Sequence, residues 1–289
     1  NIPLEDQFSD PDAITDVLSA RSLLASAYKA MPQQIFQLSV LSDDFCPSQH
    51  LNKDMSLQGL YNWREVEMTE LAGTLWAGYY AVIAEVNALL ARIDAVVTLD
   101  ETEKLEKMRI VCEAKALKSW CYFDLLRLFA PRYEGNENKD GIILKKRVEL
   151  DFLPRSSVKE CVTEIRTLLN EARNVDNTQK NVYWLSDKAV AYLQVELELY
   201  AGNYPAVLEL TKDLETEYPE SVLGADVYKY LWSSENSDAR IFGKYQLEQI
   251  YMDIRFDTFE KGDYLVLSQN VDYEEEDIRK EWSEIPFVM

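Results

Sequence analysis

Six tryptophans occur in the chain, and two of them lie where an aromatic face could meet a ligand. Trp63 sits in the run LYNWRE beside Tyr61, Asn62 and Arg64, at the end of a long polar stretch. Trp232 sits in YKYLWSSENS, with Tyr228 and Tyr230 close by. A flat ring packs against the C–H face of a pyranose while neighbouring polar groups bond its hydroxyls. That chemistry makes Trp63, Tyr61, Trp232 and Tyr230 candidate stacking residues, with Asn62 and Arg64 as polar contacts. The competing role for each tryptophan is a hydrophobic plug that fastens a loop to the helices. Trp76 and Trp120 fall inside amphipathic patterns and are expected in the core. Trp184, in NVYWLSD, is placed to staple the start of the helix that follows.

Catalytic chemistry finds little support. The single histidine, His50, is flanked by polar residues with no orienting carboxylate in view. No nucleophile-elbow, zinc-protease, phosphate-loop or dinucleotide-loop pattern occurs. With 51 acidic residues, carboxylate pairs are too common for their spacing to suggest a glycosidase. Asn136-x-Asn138-x-Asp140-Gly141 imitates the start of a calcium loop, but Arg147 stands where the acidic ligand belongs, so a solvated turn is expected. The cysteines are Cys46, Cys112, Cys121 and Cys161, without a CxxC spacing for zinc. Cys112 and Cys121 lie nearly opposite each other on one helix and cannot bond, so buried free thiols are expected. No enzyme activity, cofactor or metal site is expected.

At 289 residues the chain can bury a large core, as one big domain or two modest ones. Its formal charge of −21 argues against nucleic acid and anionic headgroups as partners. No apolar run of 18 residues occurs, so no membrane span is expected. The opening NIPLEDQFSDPDAITD holds five acidic residues, with no basic residue before Arg21, and does not read as a signal peptide.

The elements that must position these residues are mostly helices. Residues 12–30 carry Ile14, Val17, Leu18, Leu24 and Tyr28 at helical spacing, with Pro32 as a stop. Residues 41–62 read as loop from their Asp, Asn, Pro and Gly content. A helix at 70–94 follows. Asp100 with Glu103 forms a capping box that opens the longest helix, ended by Pro131. Ser157 with Glu160 opens another, to about Arg173. Residues 187–219 resemble one tetratricopeptide repeat: Gly202, Tyr204 and Pro219 fall at its turn and closing positions. One of Gly202 and Asn203 is expected at positive φ, and Ala189 and Ala191 permit close helix approach. Because a lone hairpin cannot bury its apolar face, stacked pairs are predicted: 12–30 with 70–94, 101–130 with 157–173, and 188–200 with 205–217. Residues 224–289 hold many aromatics and few clean helical stripes.

Three stretches then acquire a joint meaning. Residues 75–90 show W-x-x-x-Y-x-x-I-x-x-x-N through Trp76, Tyr80, Ile83 and Asn87. Residues 113–129 carry Glu113, Ala114, Ala116, Leu117, Lys118, Tyr122, Phe123, Leu125, Arg127 and Phe129 in a second pattern. Arg155, Ser157 and Val158 supply a third, R-x-S-V before an amphipathic helix. In this order they resemble the SusD/RagB family of surface lipoproteins. Residues 226–243 and Asp277-Ile278-Arg279 are similar to later landmarks of that family.

The resemblance implies a mainly α fold: a SusD-like stack of tetratricopeptide-type helix pairs, with irregular loops and a few short strands toward the C-terminus. It implies one SusD-like domain over 1–289, with a helical scaffold at 12–219 and a loop-rich, aromatic and acidic part at 220–289. It implies non-catalytic capture of a nutrient, a glycan or oligosaccharide foremost, for a SusC-like TonB-dependent transporter. Attachment to the outer membrane would be through an N-terminal lipid, with signal and lipidated cysteine preceding the sequence given. Typical members run well over a hundred residues longer, so the chain reads as a compact member or a truncated one. The rival reading is a helical-repeat module that binds a polypeptide and has no sugar site.

Overall fold

The structure is a computed structural model that describes residues 14–47, 55–148, 152–173, 183–217, 240–243, 264–266 and 274. Cα packing divides the chain into two compact units, with a boundary between Leu75 and Trp76. The larger unit holds residues 1–32, 76–223 and 230–244.

In that unit α1 (Val17–Lys29) starts at Asp16, whose carboxylate accepts from Ser19 N at 2.7 Å while the Ser19 hydroxyl accepts from Asp16 N. The predicted start at residue 12 is therefore corrected to Val17, because Asp16 takes the cap. Helix α4 (Glu65–Arg92) ends in a 3₁₀ turn, Ile93–Ala95, and α5 spans Glu101–Phe129. Asp100 caps α5 by accepting from Glu103 N, but Glu103 reaches back to Leu99 N, one residue before the expected partner. The helix stops at Ala130, forced into an extended conformation (φ −129°, ψ 160°) by the proline that follows.

Helices α6 (Val158–Ala172), α7 (Asp187–Tyr200) and α8 (Tyr204–Glu217) complete the unit. Ser157 and Glu160 form the predicted capping box. On α6, Val158, Cys161, Val162, Ile165, Leu168 and Leu169 form one buried stripe, each such aliphatic side chain worth about 1.5–3 kcal/mol. Neighbours pack in chain order, α5 on α6, α6 on α7 and α7 on α8, so the second and third predicted pairs form. Helix α1 packs on α5 and also meets α4, where Ser26 hydrogen-bonds Glu85. Cys112, Cys121 and Cys161 are buried free thiols.

By length and composition Glu65–Ala95 could cross a membrane. Its Val82, Ile83 and Val86 are buried in the protein, and Tyr79, Tyr80 and Asn87 hydrogen-bond to protein groups, the pattern of a core helix.

The smaller unit holds residues 33–75, 224–229 and 245–289. It contains α2 (Ile35–Leu41), β1 (Phe45–Pro47), α3 (Met55–Tyr61) and the first turns of α4. Strand β1 pairs antiparallel with β2 (Tyr264–Val266), Cys46 opposite Leu265. The stretch 41–62 is thus not all loop. A three-residue strand whose partner lies more than two hundred residues on leaves no local periodicity to read.

Candidate functional site

The corner between α3 and α4 is built by backbone hydrogen bonds that close a Schellman motif. Trp63 N donates to Leu60 O and Arg64 N to Gly59 O, both at 2.9 Å. In that motif the residue after the cap is left-handed, and here it is Trp63, at φ +54°. An L-residue spends about 1–2 kcal/mol in this conformation, which is why glycine normally holds it. The corner is pinned further by Asn62 Nδ2 donating to Gln58 O at 2.8 Å. A Cβ on Gly59 would meet the Glu67 side chain, which would have to swing aside.

The result is an indole that is 64% exposed, with Asn62 and Arg64 exposed and Tyr61 half-buried beside it. The corner thus gathers Tyr61, Asn62, Trp63 and Arg64 in one short stretch of chain. Among the described residues Arg64 makes no ion pair. Tyr230 and Trp232 lie outside the described residues.

The residues of the three sequence patterns do something else. They tie the irregular segment 141–146 to the helices of the larger unit. The Tyr80 hydroxyl donates to Ile143 O (2.9 Å) and accepts from Ile143 N (3.0 Å). Asn87 Nδ2 and the Tyr122 hydroxyl both donate to Lys145 O, at 2.9 and 2.6 Å. Lys118 Nζ donates to Asn87 Oδ1 at 2.6 Å. Arg155 donates to Phe129 O and Gly141 O, with its guanidinium over the Trp76 ring. Burial lifts the Tyr80 phenol to about 12 and raises Tyr122, so both hydroxyls stay protonated. Glu113, fully buried, accepts from Arg21 at 2.9 Å and from Tyr28 at 3.4 Å. The glycine of the calcium-like motif, Gly141, serves close packing: a Cβ there would lie 2.8 Å from Cys161 Sγ.

A third feature was not foreseen from the sequence. Trp120, expected in the core, is half-buried, and its ring meets Phe242 edge-on at 5.3 Å. With Phe123, Tyr192 and Leu193 it lines a cleft of about 650 Å³ between α5, α7 and residues 240–243. The signal was the spacing of Trp120, Phe123 and Arg127, a second stripe on α5 beyond the one that faces α6. Trp184 packs on α1, edge-on to Tyr28 and under Arg21, in place of stapling its own helix. Among the described residues no three His, Cys, Asp or Glu side chains group to hold a metal.

Solved structures share this fold at low identity. A putative sugar binding protein from Bacteroides vulgatus ATCC 8482 superposes with a TM-score of 0.67 at 20% identity, over 82% of this chain and 56% of its own. A SusD-like carbohydrate binding protein from the same organism gives 0.69 at 16% identity, over 82% and 52%. A laminarin binding SusD-like protein gives 0.53 at 20% identity, over 72% and 45%. The chain therefore spans about half the length of these structures. No curated protein matches it. Residues 5–196, well over half of the chain, match the SusD-like family described as starch-binding and associating with the outer membrane. That span holds all three stretches that brace segment 141–146, and by it the chain belongs to the SusD-like family.

Proposed function

We propose that the chain binds a glycan without chemical change, as one SusD-like domain, and hands it to a SusC-like TonB-dependent transporter. It would do so at the cell surface of the outer membrane, held by an N-terminal lipid, with no role for nucleic acid. The observation that carries the binding reading is Trp63: an exposed indole kept in a left-handed position that glycine would hold at lower cost. Tyr61 extends the aromatic surface, and Asn62 and Arg64 supply donors for sugar hydroxyls. Trp232 and Tyr230 are proposed as further contacts. The family's description and the sugar-binding proteins that share the fold support the same reading.

Titration of tryptophan fluorescence against a panel of polysaccharides and oligosaccharides tests it. One glycan class should give a saturable shift that Trp63→Ala abolishes; binding that survives Trp63→Ala unchanged removes this corner from the site. Delivery is tested by affinity capture from outer membranes, where a SusC-like transporter should be retained and its absence would sink that part.

The cleft beside Trp120 favours a second reading, a groove for an extended polypeptide, because its walls are largely apolar and aromatic. Peptide binding lost in Trp120→Ala but retained in Trp63→Ala would establish it.

A further inference from the structure

A chain of net charge −21 gathers four cationic side chains around one cleft. Arg92 comes from the end of α4, Lys118 from the middle of α5, Lys146 from the end of the segment that the brace holds, and Arg147 from the position after it. The cleft measures about 420 Å³ and is completed by Asn87, Leu90, Ala91 and Val148.

Its charges are poorly compensated. Lys118 is only 4% exposed, and its ammonium has one hydrogen-bond partner among the described residues, the neutral amide oxygen of Asn87. Burial lowers this lysine to about 8, the mark of a cation kept from water without a paired carboxylate. Glu164 favours its charge from a distance, but that carboxylate is bonded to Lys146 at 2.6 Å. Arg92 and Arg147 make no ion pair among the described residues. Like charges brought together beside a buried ammonium repel one another, and an anion in the cleft relieves both costs.

We infer that this cleft binds the carboxylate of an acidic sugar. Arg92 and Arg147 offer planar forks that can grip a carboxylate through two parallel hydrogen bonds, and Lys118 lines the same cleft. The apolar wall of Leu90, Ala91 and Val148 suits the C–H body of a pyranose better than it suits a bare inorganic ion. The sugar part of the inference rests on the glycan reading above, but the residues are separate from Trp63.

Calorimetric titration of the full chain with sodium glucuronate, its methyl ester, glucose and inorganic sulfate tests it. Glucuronate should bind one site saturably, more tightly than its uncharged ester or glucose by at least tenfold, and less tightly as salt rises. The double variant Arg92→Gln/Arg147→Gln leaves the Lys118–Asn87 bond in place and should lose at least tenfold in affinity; Trp63→Ala should lose none. Equal binding by the double variant would overturn the site, and sulfate held as tightly as glucuronate would overturn the sugar. Neutral glycans bound through Trp63 with no response to glucuronate would sink this inference and leave the proposed function standing.

Discussion

The corner after α7 and the corner after α3 share one hydrogen-bond pattern. In the first, Gly202 N donates to Leu199 O and Asn203 N to Glu198 O, and Gly202 holds the left-handed position at φ +71°. In the second the same two bonds form around Trp63 at φ +54°. The repeat corner carries the residue that backbone sterics favour, and it is reinforced from the side: Glu198 accepts from Arg166 at 3.0 Å and from Asn203 at 2.7 Å. The α3 corner carries a large aromatic at a conformational cost and leaves most of its ring in solvent. One corner is built on the residue that costs the fold least. The other is costly for the fold, and ligand contact is the return we propose for it.

Three experiments press on this contrast. The largest stability change is expected when the repeat corner is given the other's residue. A Cβ at Gly202 meets open space, so Gly202→Trp carries at least the backbone cost, about 1–2 kcal/mol of lost stability by urea denaturation. A neutral outcome would mean that the left-handed position is cheap in this protein and would weaken the argument from Trp63. The reverse exchange, Trp63→Gly, should stabilise the protein by about 1 kcal/mol while removing glycan binding. Loss of stability instead would show that the indole is a structural plug.

The smallest effect is on pH dependence. Burial opposes ionisation of Glu198, but the hydrogen bonds from Arg166 and Asn203 outweigh it and set its carboxyl below the ordinary value. Its contribution is therefore complete above the unfolded carboxyl range and is lost as pH falls through the folded value. The acid limb of wild-type stability should be steeper than that of Glu198→Gln, and superimposable curves would remove Glu198 from the corner's support.

Much of the larger unit was legible because its features are local. Ser157 and Glu160 cap within one turn, Pro131 stops α5 at the preceding residue, and Gly202 marks its own corner. The three family patterns were visible as spacing, yet nothing in the sequence said what they do. Tyr80, Asn87 and Tyr122 converge on the carbonyls of Ile143 and Lys145, partners up to 63 positions away, and Lys118 holds the Asn87 side chain. The smaller unit was less readable still. Helix α3 has seven residues, too few to show a stripe, and β1 depends on a strand far along the chain. At the candidate site, composition singled out Trp63, Asn62 and Arg64, but the left-handed backbone beneath them is a property of three-dimensional closure. Trp120 misled because an aromatic in a helical stripe reads as core whether its neighbour is protein or an open cleft.

The brace around segment 141–146 has a consequence for how this scaffold can change. Tyr80, Asn87 and Tyr122 grip main-chain atoms of Ile143 and Lys145, and Arg155 grips those of Phe129 and Gly141. Main-chain atoms are the same whatever residue carries them, so the path of the segment is specified by the helices and not by its own letters. Apart from Gly141, where no side chain fits, and Ile142, whose side chain is fully buried in the core, the segment can exchange residues and keep its course. Lys146 stands at the end of such a stretch and Arg147 directly follows it: a fixed rail on which new chemistry can be mounted without redesigning the frame.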